Sequence, residues 1–182
     1  GIGHSVGGAL IARVASEHAN LFDSLVLIEP IIFPPPHTRI DLPFAGIAER
    51  RRAIFPSRQA AYDTFAERAF RTWDSEVLAE YVDHGFEETA HGWTLKCPPE
   101  VEADLYREGA NHDTWERLPM LDLPVTIIVG AESDTHREPY IGALAAQFRN
   151  VRVVVVEAAS HLVPMEKPKE IAAEISDVFR QR

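Results

Sequence analysis

At 182 residues, 46% of them apolar and 25% charged, the chain has the length and composition of one globular domain with a substantial core, which excludes disordered and fibrous classes. Its formal charge of −10, from 28 acids against 18 bases, argues against a phosphate-backbone partner, so no nucleic-acid role is expected. Cys97 is the only cysteine, which excludes an internal disulfide and a cysteine-based metal site and suits a reducing, cytoplasmic compartment. No run reaches the ~18 apolar residues that a membrane span needs.

In chain order, the first signal is Gly3-His4-Ser5-Val6-Gly7, a G-x-S-x-G pattern. It predicts a sharp strand-to-helix turn that holds a serine clear of its surroundings, with small residues flanking it to relieve crowding. Only Gly1 and Ile2 are available for the strand before it, so the chain reads as the C-terminal portion of a longer protein. Residues 7–18 read as a helix in which Leu10, Ile11 and Val14 share a face, while Gly7, Gly8, Ala9 and Ala12 allow close approach to a sheet. The apolar run from Ser24 to Ile28, closed by Glu29-Pro30, suits a strand buried on both faces. Phe33-Pro34-Pro35-Pro36-His37 is a stiff exit that continues neither element.

Residues 37–118 change character. Helical patterns fall at roughly 44–55, 58–70, 75–86 and 98–109, broken at Pro56-Ser57, Trp73-Asp74 and Ala90-His91-Gly92-Trp93, and all three tryptophans lie here. Arg50-Arg51-Arg52, the one basic cluster, reads as the solvated side of the first of these helices. A helical insertion between two strands is the natural reading. A second buried strand is then expected at 124–130 and a third strand at 151–157, with a helix at about 138–149 between them. The last helix begins near Pro168 and buries Ile171, Ile175, Val178 and Phe179. Strands alternating with helices imply a mostly parallel α/β sheet, whose functional residues gather at the carboxyl ends of the strands.

Two chemical candidates fall at such ends: Gly130-Ala131-Glu132-Ser133-Asp134 and Ala158-Ala159-Ser160-His161. A serine hydroxyl needs a base to take its proton, and an imidazole acting as that base needs a carboxylate to hold its tautomer. The order serine, acid, histidine meets this requirement. Here the chain resembles the α/β-hydrolase fold family. Gly3 to Gly8 is similar to its nucleophile turn and Gly130 to Asp134 to its acid turn. The segment from Ser160 to Pro168 is similar to its histidine loop, with Ser160 where glycine is frequent.

The resemblance implies a partial α/β-hydrolase fold, with a core at 1–36 and 119–182 and a helical cap at 37–118. It further implies Ser5 as nucleophile, Asp134 (or else Glu132) as orienting acid and His161 as base. Val6 N–H would be one oxyanion donor, and the second would come from a segment upstream of this chain. Candidate substrate contacts are His4, Glu29, Trp73, Trp93 and Trp115. Each also has a plainer reading: local packing for His4, a structural hydrogen bond for Glu29, cap core for the tryptophans. The histidines show no ligand spacing such as H-E-x-x-H, so neither metal nor other cofactor is expected.

Within the family it resembles, serine rather than aspartate at the turn implies a small-molecule carboxylic ester, thioester or lactone hydrolysed through an acyl-enzyme. A carbon–carbon bond hydrolase of the same fold and a non-catalytic small-ligand-binding protein are the alternatives. Beyond the substrate, the expected partner is a second copy of the chain or else the upstream segment.

Overall fold

The computed structural model describes residues 1–35 and 44–180. The expected domain boundary at residue 37, and Pro36-His37 at the end of the proline run, lie outside the described residues. The chain forms two compact units, Gly1–Arg39 with Gly109–Arg182, and Ile40–Glu108. The first unit opens with β1 (Ile2–His4), α1 (Val6–Glu17) and β2 (Leu25–Ile28). The second contains α2 (Phe44–Glu49), β3 (Ile54–Phe55), α3 (Arg58–Glu67), α4 (Ser75–His84), β4 (Phe86–Thr89), β5 (Gly92–Leu95) and α5 (Pro99–Glu108). The chain then returns to the first with α6 (Thr114–Arg117), β6 (Val125–Gly130), α7 (Tyr140–Ala145), β7 (Val151–Val156), α8 (Val163–Glu166) and α9 (Pro168–Arg180).

The first unit is built on a four-stranded sheet of order β1-β2-β6-β7 in which every pairing is parallel. Its central strands are buried throughout, as continuous apolar runs with helices on both faces should be. The period-2 alternation divides their side chains between two cores. Leu25, Leu27, Val125, Ile127 and Val129 join α1 and α7 on one face, while Val26, Ile28 and Ile128 join Val163 and Ile171 on the other. Full burial of Leu25, Leu27, Ile127 and Ile128 stabilises the unit by about 1.5–3 kcal/mol each.

The small residues decide how α1 seats. Its buried face is Gly8, Ala9, Ala12 and Ala15, whereas Leu10 is 54% and Val14 39% exposed. The Leu10–Val14 face expected from periodicity therefore points away, because a helix this close to the sheet has no room for large side chains. A Cβ on Gly8 would lie 3.0 Å from the Gly3 carbonyl and 3.1 Å from Pro30 Cβ, and one on Gly3 would lie 2.5 Å from the Gly7 carbonyl. Gly7 has open space around it, so crowding requires glycine at positions 3 and 8 rather than at both ends of the pattern. In α9, Ile171, Ile175 and Val178 face the sheet, but Phe179 is 59% exposed at the helix end.

The second unit is not purely helical. It carries a three-stranded antiparallel sheet, β3-β5-β4, around a core of Phe55, Phe65, Leu78, Val82, Phe86 and Leu95. Residues 90–93, expected as a break between helices, form the β4–β5 turn (90–91) and the first two residues of β5. Gly92 is needed there, since its φ of 119° lies outside the range of L side chains and a Cβ would meet the Phe55 carbonyl at 2.4 Å. The arginine cluster follows α2 instead of lining it, and Arg51 bonds to Glu102 and to Tyr81 Oη. The second unit also ends earlier than residue 118. Leu118 is fully buried in the first unit's core, and His112 Nε2 donates to the Ile31 carbonyl at 2.9 Å.

Candidate active site

Four parallel strands deliver one group each from their carboxyl ends, where such sheets place their chemistry. Ser5 follows β1, Glu29 follows β2, the turn 130–136 follows β6 and His161 lies beyond β7. The ends are tied together: Ser5 N–H donates to the Ile28 carbonyl and Glu29 N–H to the Ile128 carbonyl, both at 2.9 Å. Three residues here hold left-handed backbone, Ser5 (φ 56°), Glu29 (φ 47°) and Ala158 (φ 50°). Each such conformation costs on the order of 1–3 kcal/mol, and strain of this kind collects at functional sites.

Ser5 Oγ lies 3.0 Å from His161 Nε2, and His161 Nδ1 lies 3.0 Å from Glu29 Oε2. A carboxylate only accepts, so Nδ1 carries the proton toward Glu29 and Nε2 accepts from the serine hydroxyl. His4 holds the same loop from the other side, its Nε2 donating to the His161 carbonyl at 2.8 Å. Burial lowers the His4 pKa, and bonding to that carbonyl only partly offsets this. The neutral ring thus acts as a brace.

The carboxylate on His161 is not the one expected from the acid turn. Asp134 is exposed and its Oδ1 accepts from its neighbour Thr135 Oγ1; Glu132 is exposed as well. Glu29 is fully buried. The turn after β6 supplies its donors: Gly130 N–H reaches Oε1 and Ser133 Oγ reaches Oε2, each at 2.8 Å. Ser133 Oγ in turn accepts from the N–H groups of His136 (3.0 Å) and Thr135 (3.3 Å), which fixes its rotamer. Burial alone would raise the Glu29 pKa, but the facing imidazoles of His136 and His161 and the Gly130 amide outweigh it and hold the carboxyl at about 2, against an ordinary 4.5.

The histidine loop is braced by its own acid. Glu166 accepts from Ser160 N–H at 2.6 Å and from Ser160 Oγ at 3.0 Å, and Leu162 N–H donates to Ser160 Oγ at 3.1 Å. Serine in place of glycine at position 160 therefore contributes a hydroxyl to the loop. Gly130 is required beside it, since a Cβ there would lie 2.2 Å from the Ala159 carbonyl.

Of the other expected contacts, Val6 is the first residue of α1, so its N–H has no intrahelical acceptor and sits at the positive end of the helix. The tryptophans serve the cores. Trp73 stacks on Phe70 with centroids 4.0 Å apart, Trp93 Nε1 donates to the Val82 carbonyl, and Trp115 packs with Tyr140 in the first unit. His136, considered in the sequence only for ligand spacing, is buried beside Glu29 with Nδ1 2.7 Å from Oε2. Glu29, His136 and His161 offer ligand atoms all within 4.8 Å of one another. No local spacing announces this cluster, because its members come from three different strand ends. The one available sign was an acid closing an otherwise apolar strand.

The fold and the site together define a class. The chain belongs to the alpha/beta hydrolase family, whose model matches residues 1–174. It is 24% identical over 213 residues to the abhydrolase domain-containing protein AKT2 of Alternaria alternata, covering 97% of this chain and 81% of that protein. It is 28% identical over 170 residues to the esterase YbfF of Escherichia coli (strain K12), covering 93% and 63%. The structure is similar to the peroxisomal alpha-beta-hydrolase Lpx1 of Saccharomyces cerevisiae, with a TM-score of 0.83, 21% identity and coverage of 99% of this chain and 53% of that one. By family and fold the chain is a hydrolase. Among the described residues no helix is long and apolar enough to cross a membrane.

Proposed function

We propose that the chain carries the catalytic centre of a serine hydrolase that cleaves small-molecule carboxylic esters, thioesters and lactones included, through an acyl-enzyme. Ser5 is the nucleophile, His161 the general base and Glu29 the orienting acid. The observation that carries the reading is the continuous line from Ser5 Oγ through the His161 ring to Glu29 Oε2, with 3.0 Å at each junction. Family membership and the esterase among the relatives support the substrate class.

In this mechanism the serine proton moves to His161 Nε2 as Oγ attacks the acyl carbon. The imidazolium that forms is offset by Glu29, which the β6 turn keeps ionised and correctly aimed. The carbonyl oxygen takes up negative charge against Val6 N–H and the start of α1. His161 then protonates the leaving alcohol or thiol, and water repeats the sequence to release the acid.

Labelling of the full-length protein by a serine-directed fluorophosphonate tests the assignment. Ser5→Ala should abolish both the label and p-nitrophenyl ester turnover. A label that persists on the variant would move the nucleophile to another serine.

A further inference from the structure

We propose that β7 is a dimerisation edge, along which the strand pairs antiparallel with β7 of a second copy of this chain. The order β1-β2-β6-β7 puts it at one margin of the sheet, and among the described residues β6 is its only strand partner. The Asn150 and Val156 carbonyls accept from the N–H groups of Val125 and Ala131, at 3.0 and 2.9 Å. The even-numbered residues of β7 therefore turn their backbone groups toward β6. In a parallel ladder the alternate residues turn theirs the other way, which leaves the N–H and C=O groups of Val151, Val153 and Val155 along the open margin.

The strand does little to blunt that margin. Five of its six residues are valine, it holds no proline, and its ladder to β6 runs without a bulge from Val125–Val151 to Gly130–Val156. Its one charged side chain, Arg152, is an even-numbered residue tied to Glu174 of α9 at 2.8 Å. The small antiparallel sheet shows the contrast. Its marginal strand β4 carries two exposed glutamates, Glu87 and Glu88, among four residues, and charges of that kind deter the addition of another strand. On β7, Val153 and Val155 are instead 38% and 54% exposed, on the face where Val151 packs against the core under α1 and α7.

A second β7 fits this margin because the charges at its two ends answer one another. Exposed Arg149 precedes the strand and exposed Glu157 follows it. In an antiparallel pair with its twofold axis at Val153, Val153 stands opposite its own copy, Val151 opposite Val155, and Arg149 opposite Glu157 at both ends. The residues that meet are those whose backbone groups point outward, so each valine exchanges N–H···O=C bonds with its opposite number. The pairing also lays the exposed valines of one copy against those of the other. A slip in register forfeits both Arg149–Glu157 matches. Arg149 lies 3.8 Å from Asp122 with both side chains exposed, a contact weak enough to be exchanged. The pairing uses no residue of the proposed catalytic line and stands apart from the serine-hydrolase reading.

Sedimentation of the full-length protein from micromolar to millimolar concentration tests the proposal and should show a monomer–dimer equilibrium. Val153→Lys sets two like charges face to face across the axis and should raise the dissociation constant about tenfold or more. Arg149→Glu and Glu157→Arg should each weaken the dimer, and the two together should restore it, because the charges are exchanged but still opposed. A nitroxide on Val153→Cys, in a Cys97→Ser background that removes the exposed native thiol, should show dipolar broadening that dilution abolishes. The thermal midpoint of the dilute monomer should be the same for Val153→Lys as for the parent. Should that variant fail to fold, Val155→Lys at the more exposed position must show the same loss of dimer. A protein that stays monomeric to millimolar concentration, or a dimer indifferent to the valine and charge substitutions, overturns the proposal.

Discussion

Two turns at the carboxyl ends of neighbouring strands both carry acids, and they do opposite things with them. The turn after β6 exposes Glu132 and Asp134 and turns its own donors, Gly130 N–H and the Ser133 hydroxyl, inward. The turn after β2 buries Glu29 and gives it those donors to face. An acid becomes an effective partner for an imidazole when its surroundings keep it ionised and in one orientation. The difference teaches that proximity in sequence to the usual position of an acid counts for less than which carboxylate the sheet order places next to the serine. Because β2 lies between β1 and β6, that carboxylate is Glu29.

The sharpest way to break this comparison is Glu29→Gln. Turnover of an ester substrate should fall by about 10³–10⁴, the scale of losing an orienting acid, while Ser5 and His161 remain in place. Next comes acidity. The Glu29 carboxyl is held at about 2 in the folded chain against an ordinary 4.5, so its contribution to stability is fully present above about pH 4.5 and is lost as pH falls toward 2. Urea midpoints of the parent chain should drop through that window, and the midpoints of Glu29→Gln should converge on them; parallel curves would show that Glu29 is not specially ionised. Ser133→Ala removes one donor to Glu29 and leaves two backbone N–H groups without their acceptor. The expected cost is about 1–3 kcal/mol in unfolding free energy, with an activity loss of roughly tenfold. Asp134→Asn should change activity by less than about twofold, as exposed substitutions do. A collapse of turnover on that substitution would return the acid to the β6 turn.

Much of the frame was legible in the residues. The apolar runs of β2, β6 and β7 and the stripe of α9 each encode one element through its own periodicity, and so did the turn around Ser5 and the loop around His161. Their meeting follows from strand ends that share one edge of a parallel sheet. What was not legible depends on neighbours distant in sequence. Glu29 reads as a strand's last residue until β2 is known to lie against β1. The Leu10–Val14 face of α1 competes with a small-residue face, and only the closeness of helix and sheet decides between them. In the second unit, β3, β4 and β5 are 2, 4 and 4 residues long, too short for alternation to stand out against flanking helices. Trp115 looked like part of that unit because it follows it closely, yet its contacts are with the first.

The β1-α1-β2 crossover has a consequence for how this chain can change. The proposed nucleophile at position 5 and its acid at position 29 sit on one βαβ unit, and Gly8 presses against Pro30, whose carbonyl anchors His136. Their mutual spacing is therefore a local property of about thirty contiguous residues. The polypeptide between β2 and β6 is thereby released from keeping serine and carboxylate in register. It can lengthen, shorten or be exchanged while the Ser5–Glu29 spacing at the sheet edge stays as it is.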